Sequence, residues 1–286
     1  MLSLGKHYFL LSVKKRIPQL DGTVAKNLPT QRPTVKNTQN APTGSWFPPI
    51  RHREQKNQFV LKITHDNSSL ENEIMILKRL RDAKSPHIPE LVWTRGSEEL
   101  GILPIGYPVL PGEAAALSRK VVRGMIDGLR YLHGQGIIHR DIRLSNLILK
   151  HVRDDVNVVI IDYETAFDLG WNYSTGNGVD YLGGYICWPQ RLLQSTAQEQ
   201  LYIPEPADDL FACILVVLHL LFPCRFDKFN ASNIRPGDGD QNPETSKVLQ
   251  MWKDIENSKI WGGFYRAAKD KDYDRLLEIA EVFCHV

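Results

Sequence analysis

The sequence predicts an α+β fold: a small strand-rich part, then a larger, mostly helical part. Three observations lead there. Short apolar runs of strand character stand at residues 59–63 and 100–105, with one helical pattern between them. Two compact apolar runs, Leu147-Ile148-Leu149 and residues 156–161, flank the polar stretch 151–155 and read as one hairpin. From Leu192 onward the apolar residues fall at helical spacing between polar loops. Strands and helices segregated in this way argue for two lobes, and the join between such lobes is a natural cleft.

The elements follow in chain order. Phe59-Val60-Leu61-Lys62-Ile63 is the first strand of this region. Ser68-Ser69-Leu70-Glu71 has the pattern of a capping box, which satisfies orphan backbone donors and starts a helix. Leu70, Ile74, Leu77 and Leu80 give that helix one apolar face, and the stretch around Ser85-Pro86 ends it. Leu117, Val121, Met125, Leu129 and Leu132 draw the face of a long helix over 117–132, closed by Gly134 and Gly136. The apolar run 210–222 contains His219, is too short to span a bilayer, and reads as a buried core helix.

Composition narrows the class. The chain has 286 residues, 42% of them hydrophobic and 24% charged, which excludes a largely disordered, collagenous or coiled-coil protein. Its four cysteines (Cys187, Cys213, Cys224, Cys284) form no C-x-x-C pair, so neither a disulfide framework nor a zinc site is expected and a reducing compartment fits. No cleavable signal pattern opens the chain. The expectation is a soluble protein without a membrane segment, cytoplasmic, with a nuclear location left open.

The net charge of +2 hides an asymmetry. Residues 1–60 hold ten Lys and Arg against two Asp and Glu, and six of the 17 prolines. Such a stretch buries too little surface to offset its ordering entropy. Its aromatic residues stand in the pairs Tyr8-Phe9 and Trp46-Phe47 and at Phe59, not in regular alternation with basic ones, so no nucleic-acid partner is expected. The predicted organisation is a basic, Pro/Asn/Gln-rich leader over 1–57 with room for degenerate first strands, a small N-terminal lobe over 58–106, and a large C-terminal lobe over 107–286.

Chemistry concentrates at His139-Arg140-Asp141-Ile142-Arg143-Leu144-Ser145-Asn146, directly after the long helix, and at Asp162 after the hairpin. Two carboxylates and an amide then stand at the ends of a hairpin, where side chains converge. Phosphoryl transfer requires such a set: one carboxylate, Asp141, accepts the proton of the acceptor hydroxyl. Another, Asp162, with the amide oxygen of Asn146, offers hard oxygens to Mg²⁺. A chance H-R-D-x-x-x-x-N in this length is on the order of one in several hundred.

HRDIRLSN followed by VVIIDYE resembles the catalytic loop and metal-binding triplet of the protein kinase superfamily. The resemblance covers about residues 58–286 and implies a bilobal protein kinase-like fold with one regulatory helix in its small lobe. Within it, FVLKI resembles the strand that carries the ATP-contacting lysine, making that residue Lys62. Glu73 stands where the lysine's acidic partner belongs, with Glu71 a rival. Leu103 to Gly106 resembles the hinge beside the adenine, with Leu103 as gatekeeper and Ile105 next to the base. Arg143 lies two residues after Asp141, where serine/threonine kinases place a lysine, and would steady the transferring phosphoryl group. The best local match is to divergent kinase-like proteins of fungi, including Crinkler-associated kinase domains.

The resemblance implies an ATP- and Mg-dependent kinase acting on a protein hydroxyl, Ser/Thr ahead of Tyr; oligomeric state is left open. Three departures keep two alternatives in view. No G-x-G-x-x-G precedes Lys62, the usual Asp-Phe-Gly is Asp162-Tyr163-Glu164, and the usual Ala-Pro-Glu is Trp188-Pro189-Gln190. The first and third favour a pseudokinase or effector-type binding module. The second resembles choline-type kinases and suggests a small-molecule phosphotransferase. Tyr173, Ser174, Thr175 and Tyr181 lie in the segment where a regulatory phosphate would pair with Arg140.

Overall fold

Four antiparallel strands form the N-terminal sheet: β1 (His7–Ser12), β2 (Gln58–Ile63), β3 (Glu90–Arg95) and β4 (Glu99–Leu103), in the order β1-β2-β4-β3. The structure is a computed structural model and describes residues 7–12, 58–63, 67–82, 85–110, 115–152, 155–172, 179, 190–194, 202–223 and 243–283. On β2, Phe59 and Leu61 share one face, while Val60 and Lys62 share the other, as the two-residue period of a strand requires. Lys62 lies opposite Tyr8 of β1 and Leu100 of β4. The strand β1 comes from within the basic leader.

The helix α1 (Asn67–Arg79) packs on this sheet through Leu70, Ile74, Ile76 and Leu77, all buried. Glu73, three residues after Leu70 and three before Ile76, lies on the same packing face. The side chains of Ser68 and Ser69, half of the expected capping box, lie outside the described residues.

Two differences from the sequence expectation arise here. A strand that the sequence did not predict, β3, begins at Glu90. Among the described residues that strand pairs on one side only, and a bulge between Leu91 and Trp93 breaks the alternation that marks a strand. The strand expected over 100–105 ends at Leu103. Pro104, next in the chain, has no N–H to extend the ladder.

In the C-terminal part, α2 (Ala115–Gly134) buries Val121, Val122, Met125, Ile126, Leu129 and Leu132. Gly136, at φ 73°, follows its end in the left-handed conformation glycine tolerates. The predicted hairpin is β7 (Leu147–Val152) and β8 (Asp155–Ile160), with β5 (Tyr107–Pro108) added on the far side of β7. Gly124 and Gly128 let α2 lie directly on β8: a Cβ at Gly128 would stand 2.8 Å from Ile160 Cδ1, and one at Gly124 2.9 Å from Val158 Cβ. This close packing fixes the position of the segment after β8, which carries Asp162.

A short two-stranded pair, β6 (Ile137–Ile138) and β9 (Phe167–Asp168), brackets the region between catalytic-loop and triplet motifs. The helices α3 (Leu169–Asn172), α4 (Gln190–Gln194), α5 (Pro206–Leu221), α6 (Pro243–Asn257), α7 (Trp261–Asp270) and α8 (Tyr273–Phe283) complete the lobe. The helix α5 is buried on nearly all sides, with Leu210, Cys213, Ile214 and Leu215 at 0–1% exposure. Glu205 and Asp208 exchange capping hydrogen bonds at its start, and Pro206 sits in its first turn. Among the described residues no helix is long and apolar enough to cross a membrane.

Candidate active site

The site begins with a lysine that the fold removes from water. Lys62, 1% exposed, reaches three carboxylates: Glu73 on α1 at 2.6 Å, Asp162 at 2.8 Å and Glu164 at 2.5 Å. An ammonium out of water requires such partners, since an unpaired buried charge costs several kcal/mol. The choice between Glu73 and Glu71 is settled by α1 itself: Glu73 faces the sheet and Glu71 faces solvent. Burial raises the Glu73 carboxyl above its usual range; Lys62 opposes this, while the charges of Asp162 and Glu164 add to it. Glu73 also accepts a hydrogen bond from the backbone N–H of Tyr163 at 3.2 Å.

Asn72 reinforces the same join. Its amide nitrogen lies 2.8–3.3 Å from the carbonyl oxygens of Tyr163, Glu164 and Ala166, and so ties α1 to the Asp162-Tyr163-Glu164 segment. At the other end of α1, Arg79 pairs with Asp168. The regulatory-helix position is thus held inward at two points.

The second half of the site is the loop after β6. The Asn146 amide nitrogen donates to the backbone carbonyl and to the carboxylate of Asp141, both at 2.8 Å. Its nitrogen committed in this way, the amide directs its oxygen elsewhere. The backbone of Asn146 accepts from the N–H of Ile161 at 2.9 Å, which seats Asn146 next to Asp162. His139 does the same from the other side: its Nε2 meets the Ile161 carbonyl at 3.0 Å and its ring packs edge-on against Tyr163, centroids 5.0 Å apart. Through these bonds the loop carrying Asp141 and the turn carrying Asp162 are one unit, with Lys62 and Glu73 joined to it by Asp162. Arg143 places Nη2 3.0 Å from Asp141 Oδ2, and is 45% exposed on its side chain.

Arg140 and Asp162 adopt φ of 71° and 72°, a conformation that costs an L-residue about 1–2 kcal/mol. Backbone strain of this kind persists where surrounding contacts over-determine it. For Arg140 the contact is Asp209 of α5, 1% exposed, which accepts from the N–H groups of His139 at 2.7 Å and Arg140 at 2.8 Å. His133 Nε2 shares the same carboxylate at 2.9 Å. The Arg140 guanidinium donates to the hydroxyl of Tyr202 at 3.0 Å and to the carbonyl of Thr165 at 3.1 Å. The regulatory phosphate sites expected at Tyr173, Ser174, Thr175 and Tyr181 lie outside the described residues.

Of the expected nucleotide-site residues, the structure joins Lys62, Glu73, Asp162, Asn146, Asp141 and Arg143 in one connected set. Leu103 and Ile105 lie half-buried on either side of Pro104, between the two lobes. The Gln190 substitution is offset by its neighbours. Gln190 accepts from the Tyr265 hydroxyl at 2.7 Å, and Arg191 supplies the ion pair, to Asp208 at 2.6 Å and Glu205 at 3.4 Å. Sequence reasoning did not select Glu164, Asn72, Arg79 or Arg191 for these contacts. Only Glu164 carried a signal, as a third acid beside a metal-type aspartate; the others are ordinary polar helix residues until the tertiary contacts are known.

Tyr163 is buried and its hydroxyl has no hydrogen-bond partner among the described residues. Burial, then the charges of Glu73 and Asp209, push its phenol well above the usual value. Leaving such a group unsatisfied costs about 1–3 kcal/mol. Tyr163→Phe is therefore expected to raise stability by about 1 kcal/mol, read as a higher denaturant midpoint; a lowered midpoint would reveal a partner for the hydroxyl.

Comparison with known proteins bears on the fold. Residues 113–233 match the family described as "Protein kinase domain". Human serine/threonine-protein kinase H1 is 26% identical over 129 residues, 41% of this chain and 30% of that protein. The serine/threonine-protein kinase ppk8 of Schizosaccharomyces pombe is 34% identical over 96 residues, 32% of this chain and 17% of that protein. Rat 3-phosphoinositide-dependent protein kinase 1 is 25% identical over 190 residues, 54% of this chain and 33% of that protein. The chain spans about a third or less of the length of these relatives. With the two-part α+β architecture, these matches make the fold protein kinase-like.

Proposed function

We propose, from this protein kinase-like fold, that the chain is an ATP- and Mg-dependent protein kinase acting on Ser or Thr hydroxyls. The observation that carries the reading is the bonded series Glu73–Lys62–Asp162 with Asn146–Asp141, since a phosphoryl-transferring site needs all five groups and a binding module needs none. Lys62, oriented by Glu73, offers its ammonium to the nucleotide phosphates. Leu103 and Ile105 border the base at the lobe junction. Asp141, held by the Asn146 amide, accepts the proton of the attacking hydroxyl. Arg143 stands beside that carboxylate, where a positive charge steadies developing negative charge on the phosphoryl oxygens.

The donor set fits Mg²⁺: the Asp162 carboxylate and the Asn146 amide oxygen are hard ligands, and it is the Asn146 nitrogen, not that oxygen, that is committed to Asp141. When bound, the ion offsets the phosphate charge. A narrower placement, among divergent fungal kinase-like proteins that include Crinkler-associated domains, rests on the HRDIRLSN loop and the hinge at Leu103 to Gly106. A cytoplasmic location, with the nucleus left open, is inferred from the few, widely spaced cysteines, none in a C-x-x-C pair.

The test is nucleotide-induced thermal stabilisation of the wild type and of Asp162→Ala, with and without Mg²⁺. A site of this kind gains about 2.7 kcal/mol from ligand at 100 times its dissociation constant. Wild type should show that stabilisation with ATP and Mg²⁺, and Asp162→Ala should lose most of it. Equal shifts in both proteins, or none in the wild type, would reject the assignment. Phosphate transfer to generic Ser/Thr substrates, against amino alcohols and aminoglycosides, then separates a protein kinase from a small-molecule phosphotransferase.

A further inference from the structure

We propose that Tyr202 is a positioning residue for phosphoryl transfer: through the Arg140 side chain it holds the catalytic loop against the segment that follows Asp162. The inference rests on the kinase reading and deepens it.

Tyr202 is buried just ahead of α5, where four segments of the chain meet. Its hydroxyl accepts from Arg140 Nε at 3.0 Å. The guanidinium carbons of Arg140 and Arg191 stand 5.5 and 5.3 Å from the centre of its ring, within the reach of a cation–π attraction. Its backbone exchanges two hydrogen bonds with Val179: the Val179 N–H donates to the Tyr202 carbonyl at 2.9 Å, and the Tyr202 N–H donates back at 3.2 Å. Arg191 of α4 ties the same stretch to α5. It donates to the Ile203 carbonyl at 2.6 Å and, through two nitrogens, to both oxygens of Asp208 at 3.2 and 2.6 Å. Tyr202 thus joins the catalytic loop, α4 and the chain between the triplet and Pro189.

A tyrosine suits this place chemically. Burial raises its phenol above the usual value, against the opposing charge of Arg140, so the hydroxyl stays neutral and offers an acceptor oxygen. The electron-rich ring face meets two cations at once. The consequence reaches the site through Arg140. Its Nη1 donates to the Thr165 carbonyl at 3.1 Å, and the Thr165 hydroxyl donates to the His139 carbonyl at 3.1 Å. These bonds join the loop that carries Asp141 to the chain just past Asp162, so the setting of the guanidinium bears on the spacing of the two carboxylates. Asp209 secures the Arg140 backbone, and Tyr202 secures its side chain. The two duties are separable, since a phenylalanine at 202 removes only the hydroxyl. Tyr202 acts through Arg140 and not on the reacting atoms.

The experiment compares full-length wild type, Tyr202→Phe, Arg140→Met and the double variant. It measures transfer to generic Ser/Thr substrates, thermal stabilisation by ATP with Mg²⁺, and the backbone amide resonances of the folded proteins. Tyr202→Phe is expected to lower kcat about tenfold, the scale of one lost hydrogen bond to a charged group, with KM for ATP within about threefold of wild type. The amide resonances of Asp141 and Thr165 should broaden or shift while those of α2 stay in place; a role in global stability alone would move neither kcat nor these signals under folding conditions. In the Arg140→Met background the same substitution should change kcat less than about twofold, because effects carried by one contact do not add. Wild-type kcat in Tyr202→Phe, or its full loss repeated on top of Arg140→Met, overturns the inference and leaves the kinase reading standing. No stabilisation of wild type by ATP and Mg²⁺ overturns both. If wild type phosphorylates none of the generic substrates, the resonances decide alone, and unchanged Asp141 and Thr165 signals overturn the inference. If Tyr202→Phe does not fold, Arg140→Lys takes its place, since it keeps the charge and loses the Nε–H, and the same kcat and resonance outcomes decide.

Discussion

Asp141→Asn is expected to lower phosphoryl transfer roughly 10²–10⁴-fold while nucleotide binding persists. The substitution keeps the shape of the side chain and an oxygen for the Asn146 amide, which now bonds the carboxylate at 2.8 Å. It removes the negative charge that accepts a proton. Arg143 loses its partner at 3.0 Å, but a side chain 45% exposed finds water instead, so the fold should be little changed. Single-turnover transfer, measured beside thermal shift with ATP and Mg²⁺, checks both halves. Undiminished transfer would remove Asp141 from the chemistry, and lost binding would make its role structural.

Asp209→Ala is expected to cost about 3–5 kcal/mol of stability, the range for breaking a buried charged network by removing one partner. The substitution leaves the N–H groups of His139 and Arg140 without their acceptor and His133 without its carboxylate. Arg140 at φ 71° then has less to hold it, so the catalytic loop should loosen first. The acid limb gives a second readout. Burial works to raise the Asp209 carboxyl, but the His133 hydrogen bond, the charges of His133 and His139 and the His139 backbone bond outweigh it. The carboxyl ends below its ordinary value of 3.8. A carboxyl depressed on folding stabilises fully above its unfolded value and loses that contribution as pH falls through the folded one. Denaturant midpoints of wild type and Asp209→Asn should therefore differ most near neutrality and converge as pH falls through the depressed folded value. A constant difference across that range would mean that Asp209 ionises alike in the folded and unfolded chains.

Much of the site was legible because its chemistry is local. His139, Asp141 and Asn146 fall within eight residues, and Asp162 follows one hairpin later, so spacing alone brings them to the same end of the same strands. The Lys62–Glu73 pair was legible only through the family resemblance, which left Glu71 a rival; burial on α1 then separated Glu73, facing the sheet, from the exposed Glu71. The strand β3 was missed because its bulge and single paired edge erase alternation. Arg191 was missed because its partner Asp208 lies 17 residues away, across a stretch in which no periodicity links them.

From residue order alone came the division into a strand-rich and a helical part, the long amphipathic α2, the hairpin and the identity of the carboxylates. These depend on local spacing, which a linear chain already contains. Tertiary structure alone decided how many carboxylates meet Lys62, that Asn72 clamps α1 to the triplet, and that Asp209 supports a left-handed Arg140. Those facts depend on distances between segments up to 100 residues apart. Electrostatic energy varies with separation in space and with exclusion of water, and neither quantity is written along the chain.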